Sequence, residues 1–167
     1  NDSLWEDVGY KLTKGNLDGG NEVTLTRTPD TSPRFLEDHT PIGELIDFKE
    51  FASQRDMDEF LCSEIERNIG QDELCPEDIV VINPDPLSTQ KKVGYARDKL
   101  LHAGINSVIA GVTTSRDVFS QSGSVTFTGI YRAKGNEAGM VYIINAQDCF
   151  DSWTQNQVAL VRNRLFT

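Results

Sequence analysis

Between residues 124 and 145 the chain gathers side chains that suit phosphates and sugars. Arg132 and Lys134 are cations, Glu137 is a carboxylate, and Gly135 between them lets the backbone come close to a ligand. Cations meet phosphate oxygens through charge-assisted hydrogen bonds, and a carboxylate accepts from a ribose hydroxyl. The flanking stretches 124–130 and 140–145 read as strands. The polar segment is then a basic, glycine-containing turn at a strand's carboxyl end, where open α/β sheets form their ligand crevices. A solvated connection with ordinary turn chemistry is equally compatible with the spacing.

Other chemistries find little support. No Gly-x4-Gly-Lys-Ser/Thr loop is present, no Gly-x-Gly-x-x-Gly follows a strand, and Gly-x-Ser-x-Gly is absent. His39 lies in a proline-rich connector and His102 late in a helix, neither beside a Cys or a paired carboxylate, so both read as surface or boundary residues. Asp78, Asp85 and Asp98 are too scattered to argue a carboxylate-metal nuclease site. Cys62, Cys75 and Cys149 are odd in number, widely spaced and without metal-ligand spacing. They read as reduced thiols and point to a cytoplasmic protein.

The elements that must position the basic turn follow from patterning. Residues 15–21, rich in Gly, Asn and Asp, form a turn before a strand at 22–27, and residues 28–41, with three prolines, form an irregular connector. A second strand is expected at 44–49. Ser53 caps a helix with Asp56 three residues on, and Met57, Phe60, Leu61, Ile65 and Ile69 share one face, packed on a sheet. The apolar run 79–82 is a strand buried on both sides, broken by Asn83-Pro-Asp-Pro86. Ser88 or Thr89 caps the next helix, which turns Val93, Ala96, Leu100 and Ala103 inward and ends at Gly104. A strand at 106–110 completes a parallel βαβ unit, and 111–123 is surface loop. A last helix from Thr154, with Gln157 completing a capping box, carries Arg162 and Arg164 on its polar side. The pattern is α/β, with a mostly parallel sheet of about five strands.

The chain has 167 residues, enough for one domain with a core and too few for two ordinary ones. Its 16 basic and 26 acidic residues leave a net charge of −10, so tight nucleic-acid binding by the chain alone is not expected, because that binding rests on Lys and Arg. No apolar run approaches the roughly 20 residues of a membrane span, and no signal-peptide pattern is present.

The segment Thr128-Gly-Ile-Tyr-Arg-Ala-Lys-Gly-Asn-Glu137, followed by an apolar strand, resembles motif V of superfamily 1 helicases of the UvrD, Rep and PcrA type. There a Thr/Ser-x-His-x-Ala-Lys-Gly-x-Glu pattern precedes such a strand. Residues 155–167 resemble the helix leading into motif VI, and the order of elements from Val23 onward resembles the second RecA-like motor domain of that family. The resemblance implies a three-layer RecA-like (P-loop NTPase-like) α/β domain spanning residues 1–167, excised from a longer protein, with 1–43 holding an irregular N-terminal part and the proline-rich connector. It implies that Gly135 and Glu137 border ATP with its Mg2+, Glu137 near the ribose, and that Arg162 and Arg164 open the motif VI helix on the same nucleotide side. It places Thr128, Tyr131, Arg132 and Lys134 toward single-stranded DNA or RNA.

Departures from the family pattern narrow these expectations. Tyr131 stands where the family has His, so a ring able to stack on a base replaces an imidazole. Asn83-Pro-Asp-Pro86 replaces an Arg-containing DNA-binding segment, and the short 111–123 stretch stands where a large domain is inserted. The motif IV and VI arginines would fall before Asn1 and beyond Thr167. The expected function is therefore the C-terminal motor domain of an ATP-dependent DNA helicase or translocase. ATP hydrolysis would need the P-loop and magnesium-binding acid of an N-terminal RecA-like domain, so the isolated chain is expected to be inactive. The alternatives are a non-catalytic nucleotide- or partner-binding RecA- or Rossmann-like module and, less favoured for want of clustered acids, a small nuclease.

Overall fold

The first helix, α1 (Asp2–Asp7), leads into a hairpin of β1 (Tyr10–Lys14) and β2 (Thr24–Arg27), paired antiparallel with an irregularity between Leu12 and Lys14. The turn between them is the glycine-rich stretch expected to reverse the chain. Trp5 meets Tyr10 edge-on with ring centroids 6.0 Å apart, and the Arg27 guanidinium lies 5.1 Å from the Tyr10 centroid. Two short helices follow, α2 (Phe35–His39) and α3 (Ile42–Leu45). A computed structural model describes residues 2–32 and 35–150 of the chain, and the elements above belong to the first of two units, Asn1–Lys49 and Glu50–Thr167.

Two sequence expectations fail in this first unit. The connector 28–41 contains α2, where the His39 ring nitrogen bonds the Phe35 carbonyl at 2.7 Å. The strand expected at 44–49 does not form: Pro41 precedes a single helical turn, α3, and 46–50 have no regular structure. Pro pre-sets a backbone angle that suits a helix start. Ile46 and Phe48 stay exposed, with no neighbouring strand to bury them.

The second unit opens on α4 (Gln54–Gly70). Ser53 caps it: its hydroxyl accepts from the Asp56 N–H at 3.2 Å and donates to the Asp56 carboxylate at 2.8 Å. Leu61 and Ile65 of the expected face are buried, and Cys62 is buried beside them. A short 3-10 turn, Pro76–Asp78, feeds β3 (Ile79–Asn83), followed by α5 (Thr89–Lys92), α6 (Gly94–His102), β4 (Asn106–Ile109), β5 (Ser124–Gly129), α7 (Ile130–Ala133) and β6 (Met140–Ile143), with a second 3-10 turn at Ala146–Cys149.

All four strands of this unit are parallel, in the order β4-β5-β3-β6. The fold is α/β, a parallel sheet flanked by helices in keeping with a three-layer RecA-like arrangement. The sheet has four strands rather than about five, because the hairpin strands pair only with each other. The expected β3–helix–β4 unit exists as a crossover, but β5 enters the gap between its two strands.

Val81, Val125, Phe127 and Ile109 pack with Leu61, Cys62 and Ile65 of α4 and with Val93, Ala96 and Leu100 of α5–α6 in one apolar core. The alternate positions Val80, Val108, Thr126 and Thr128 are buried as well, which is why β3 reads as a continuous apolar run. The helix expected to run from Ser88 or Thr89 to Ala103 is divided at Val93 into α5 and α6. Gly94, the weakest helix former after proline, sits at the break, and Ala103 ends up exposed instead of inward. Gly104 ends α6 with φ +79°, as expected of a C-terminal glycine. No helix among the described residues is long and apolar enough to cross a membrane. The last helix expected from Thr154, with Arg162 and Arg164, lies outside the described residues.

A candidate ligand edge at the carboxyl ends of β3, β4 and β5

Three segments leave the same edge of the parallel sheet. The first, after β3, is held by a polar knot around Asn83. This buried amide donates to the Asp85 carbonyl at 2.5 Å and to the Thr89 hydroxyl at 3.3 Å, and accepts from the Asn145 amide at 3.0 Å. The Asp85 carboxylate accepts from the Leu87 N–H at 3.2 Å, and the Thr89 hydroxyl donates back to the Asp85 carbonyl at 3.0 Å. Short Asn and Asp side chains reproduce turn hydrogen bonds in this way. The knot fixes Pro86 and leaves Leu87 projecting, 95% exposed. Asn145, at φ +55°, completes it from the end of β6, and the ion pair of Lys92 with Asp148 ties α5 to the same place.

The second segment follows β4. Gly111 takes a left-handed conformation at φ +71°, and a Cβ there would lie 2.5 Å from the Arg132 guanidinium. The third segment is α7, which begins directly after β5, so a helical turn stands where the sequence reads as simple turn. Gly129 makes the junction close: a Cβ would lie 3.2 Å from the Pro86 Cα, tighter than ordinary contact.

The three segments enclose an open cavity of about 250 Å³. Ile109, Ala110 and Gly129 line it from the strand ends, Pro86, Leu87 and Gln90 from the β3–α5 side, and Val112, Tyr131 and Arg132 complete it. The segments leaving this edge, with the turn after β6, hold five cations (Lys91, Lys92, Arg116, Arg132, Lys134) against four acids (Asp85, Asp117, Glu137, Asp148), a local relief on a chain of net charge −10.

The residues singled out from sequence divide into three groups. Tyr131 and Arg132 are brought to the cavity, Tyr131 at 56% exposure. The Arg132 guanidinium faces Gly111 and donates to the Arg116 carbonyl, so it pins the 111–123 loop. Lys134, Gly135 and Glu137 lie further along and outside the cavity lining. All three are exposed, Gly135 has φ +80° with open space around its Cα, and neither Lys134 nor Glu137 has a hydrogen-bond or ion-pair partner among the described residues. Thr128 is fully buried, and its hydroxyl donates to the Gly129 carbonyl at 3.3 Å, which makes it a support for the strand end. Arg162 and Arg164 are outside the described residues.

Gly135 offers open backbone, and Glu137 an exposed carboxylate with no partner among the described residues. Nothing comparable suits Mg2+, since no group of three or more His, Cys, Asp or Glu among the described residues is placed to hold a metal ion. Sequence reasoning missed Pro86, Leu87, Gln90 and Val112. The one signal available was an apolar Leu placed directly after the Asn-Pro-Asp-Pro breaker, where a solvated turn would carry a polar residue. No family model, curated protein or solved structure significantly matches this chain.

Proposed function

We propose that this chain is the C-terminal RecA-like motor domain of an ATP-dependent superfamily 1 DNA helicase or translocase. The observation that carries the reading is the position of the motif V-like segment. It leaves β5, an inner strand, at the carboxyl edge of an all-parallel sheet, and its Lys134 and Glu137 are exposed. Ligands of open α/β sheets bind at that edge. In this reading Glu137 and Gly135 border the nucleotide, whose P-loop lysine and magnesium-binding acid belong to an N-terminal RecA-like domain of the same polypeptide. Lys134 and the Tyr131 side of α7 face the single strand. Mg2+ supplies charge neutralisation at the phosphates when ATP is bound; this chain contributes orientation at the ribose and a wall that excludes water when the two domains close.

The test is steady-state ATP hydrolysis, with and without single-stranded DNA. The 167-residue chain alone turns over no ATP. In the polypeptide carrying both motor domains, Glu137→Ala weakens ATP use without unfolding, and Lys134→Ala lowers stimulation by DNA while leaving basal hydrolysis. Unchanged activity in both variants overturns the assignment of the segment, and appreciable turnover by the chain alone overturns the half-site reading.

A further inference from the structure

The cavity beside Tyr131 is not used by the nucleotide half-site, because Gly135 and Glu137 lie outside its lining. It is also poorly suited to phosphate, since its one cation, Arg132, already donates to the Arg116 carbonyl. What it offers instead is a face and a polar group. Leu87, Val112 and Tyr131 are all more than half exposed and converge on the same space. Scattered exposed apolar side chains are ordinary on a protein surface, but a convergent set around a concavity marks a binding site. The Gln90 amide and the Tyr131 hydroxyl line or rim this space with no hydrogen-bond partner among the described residues. At about 250 Å³ the cavity falls below the roughly 300–1,000 Å³ of drug-sized ligand sites, which suits a small planar group.

We infer that this cavity is a nucleobase pocket: Tyr131 is the stacking face, Leu87 and Val112 form the apolar wall, and the Gln90 amide meets the hydrogen-bonding edge of the base. Aromatic faces accept any base, because every base has a π-face. The rigid Asn83 knot holds the Pro86–Leu87 wall in place before a ligand arrives, so little ordering entropy is lost on binding. The base can come from a single strand or from a free nucleotide. The strand as source rests on the single-strand reading proposed above.

An NMR titration of the whole chain distinguishes these cases, with three probes: a single-stranded thymidine octamer, an abasic octamer with the same backbone, and dTMP. The expected result is that the thymidine octamer shifts the Gln90 side-chain amide and the Ala110 and Gly129 resonances, while the abasic octamer leaves them in place. Tyr131→Ala then weakens octamer binding by about fivefold or more, and Tyr131→Phe keeps it. The salt dependence of binding is the same in Tyr131→Ala as in the parent chain, since no phosphate contact is removed. Tyr131 is outside the core, so a dispersed spectrum of the variant verifies its fold. If dTMP shifts the same signals as tightly as the octamer, the pocket stands and its source is a free nucleotide. If both octamers bind equally and Tyr131→Ala changes nothing, the pocket is overturned while the single-strand reading survives. If no probe shifts any signal, the pocket is overturned.

Discussion

Tyr131 and Lys134 are three positions apart in one short segment, yet the structure gives them different surroundings: an aromatic ring at a cavity, and a cation on open surface. Similar divergence decides the chemistry of the cysteines. Cys62 is fully buried, with its thiol donating to the Ala96 carbonyl at 3.4 Å, and burial pushes its pKa up to about 11. Cys149 is buried as well, and Cys75 is exposed. Since the thiolate is the reactive form, the native chain should release about one equivalent of chromophore with Ellman's reagent at pH 8, and three when denatured. Loss of the fast equivalent in Cys75→Ser checks the assignment. Asp58 gives a pH signature. Its carboxyl is buried on α4, and desolvation raises its pKa despite the Gln54 amide at 3.0 Å. A raised carboxyl pKa means the folded state favours the neutral form. The stability it contributes is complete below the ordinary aspartate range and is lost as pH rises through the folded pKa. The melting temperature of Asp58→Asn minus that of the parent should therefore grow between about pH 4 and pH 7. A difference that stays flat or shrinks contradicts this.

The elements differ in how their ends are determined. α4 begins where a side chain dictates it, so Ser53→Ala should cost about 1 kcal/mol in urea unfolding, with the α4 amides nearest the cap exchanging faster. β5 carries a liability of another kind. Thr126 is fully buried between Val80 and Val108 on the neighbouring strands, and its hydroxyl has no hydrogen-bond partner among the described residues. An unpaired buried hydroxyl is costly, so Thr126→Val should stabilise the chain by roughly 1 kcal/mol, read as a higher urea midpoint at unchanged slope. The connections are set by contacts across the chain. Glu77 accepts from the Ser122 hydroxyl and the Gly123 N–H, both at 2.9 Å, and its own backbone N–H, then these two donors, hold its carboxyl below its ordinary value. With Arg132 donating to the Arg116 carbonyl, they hold the 111–123 loop at its far end and partway along it. Neither anchor follows from local sequence, because the partners are 46 and 16 residues apart.

At the scale of the molecule, every residue of the apolar core cluster lies beyond residue 50, and the sheet of the second unit is closed without the hairpin. A chain beginning at Glu50 should therefore fold by itself, with one cooperative thermal transition. A molten spectrum from that truncation would show that the first unit is required.

What the sequence determined alone is what short-range physics decides: the α4 stripe and its cap, the buried strand at 79–82, the strands that flank the basic turn, and the glycine that ends α6. In each case a few neighbouring residues contain the whole cause, whether spacing, a capping hydroxyl or a positive φ. Residues 44–49 are apolar enough to read as a strand, but strands need partners, and Ile46 and Phe48 have no neighbouring strand. The tertiary structure alone decided the order β4-β5-β3-β6, and with it which loops meet. By inserting β5 between β3 and β4, that order brings Leu87, Val112 and Tyr131 to one cavity. No periodicity links those three residues, because the contact between them is made by strand pairing and not by proximity in the chain.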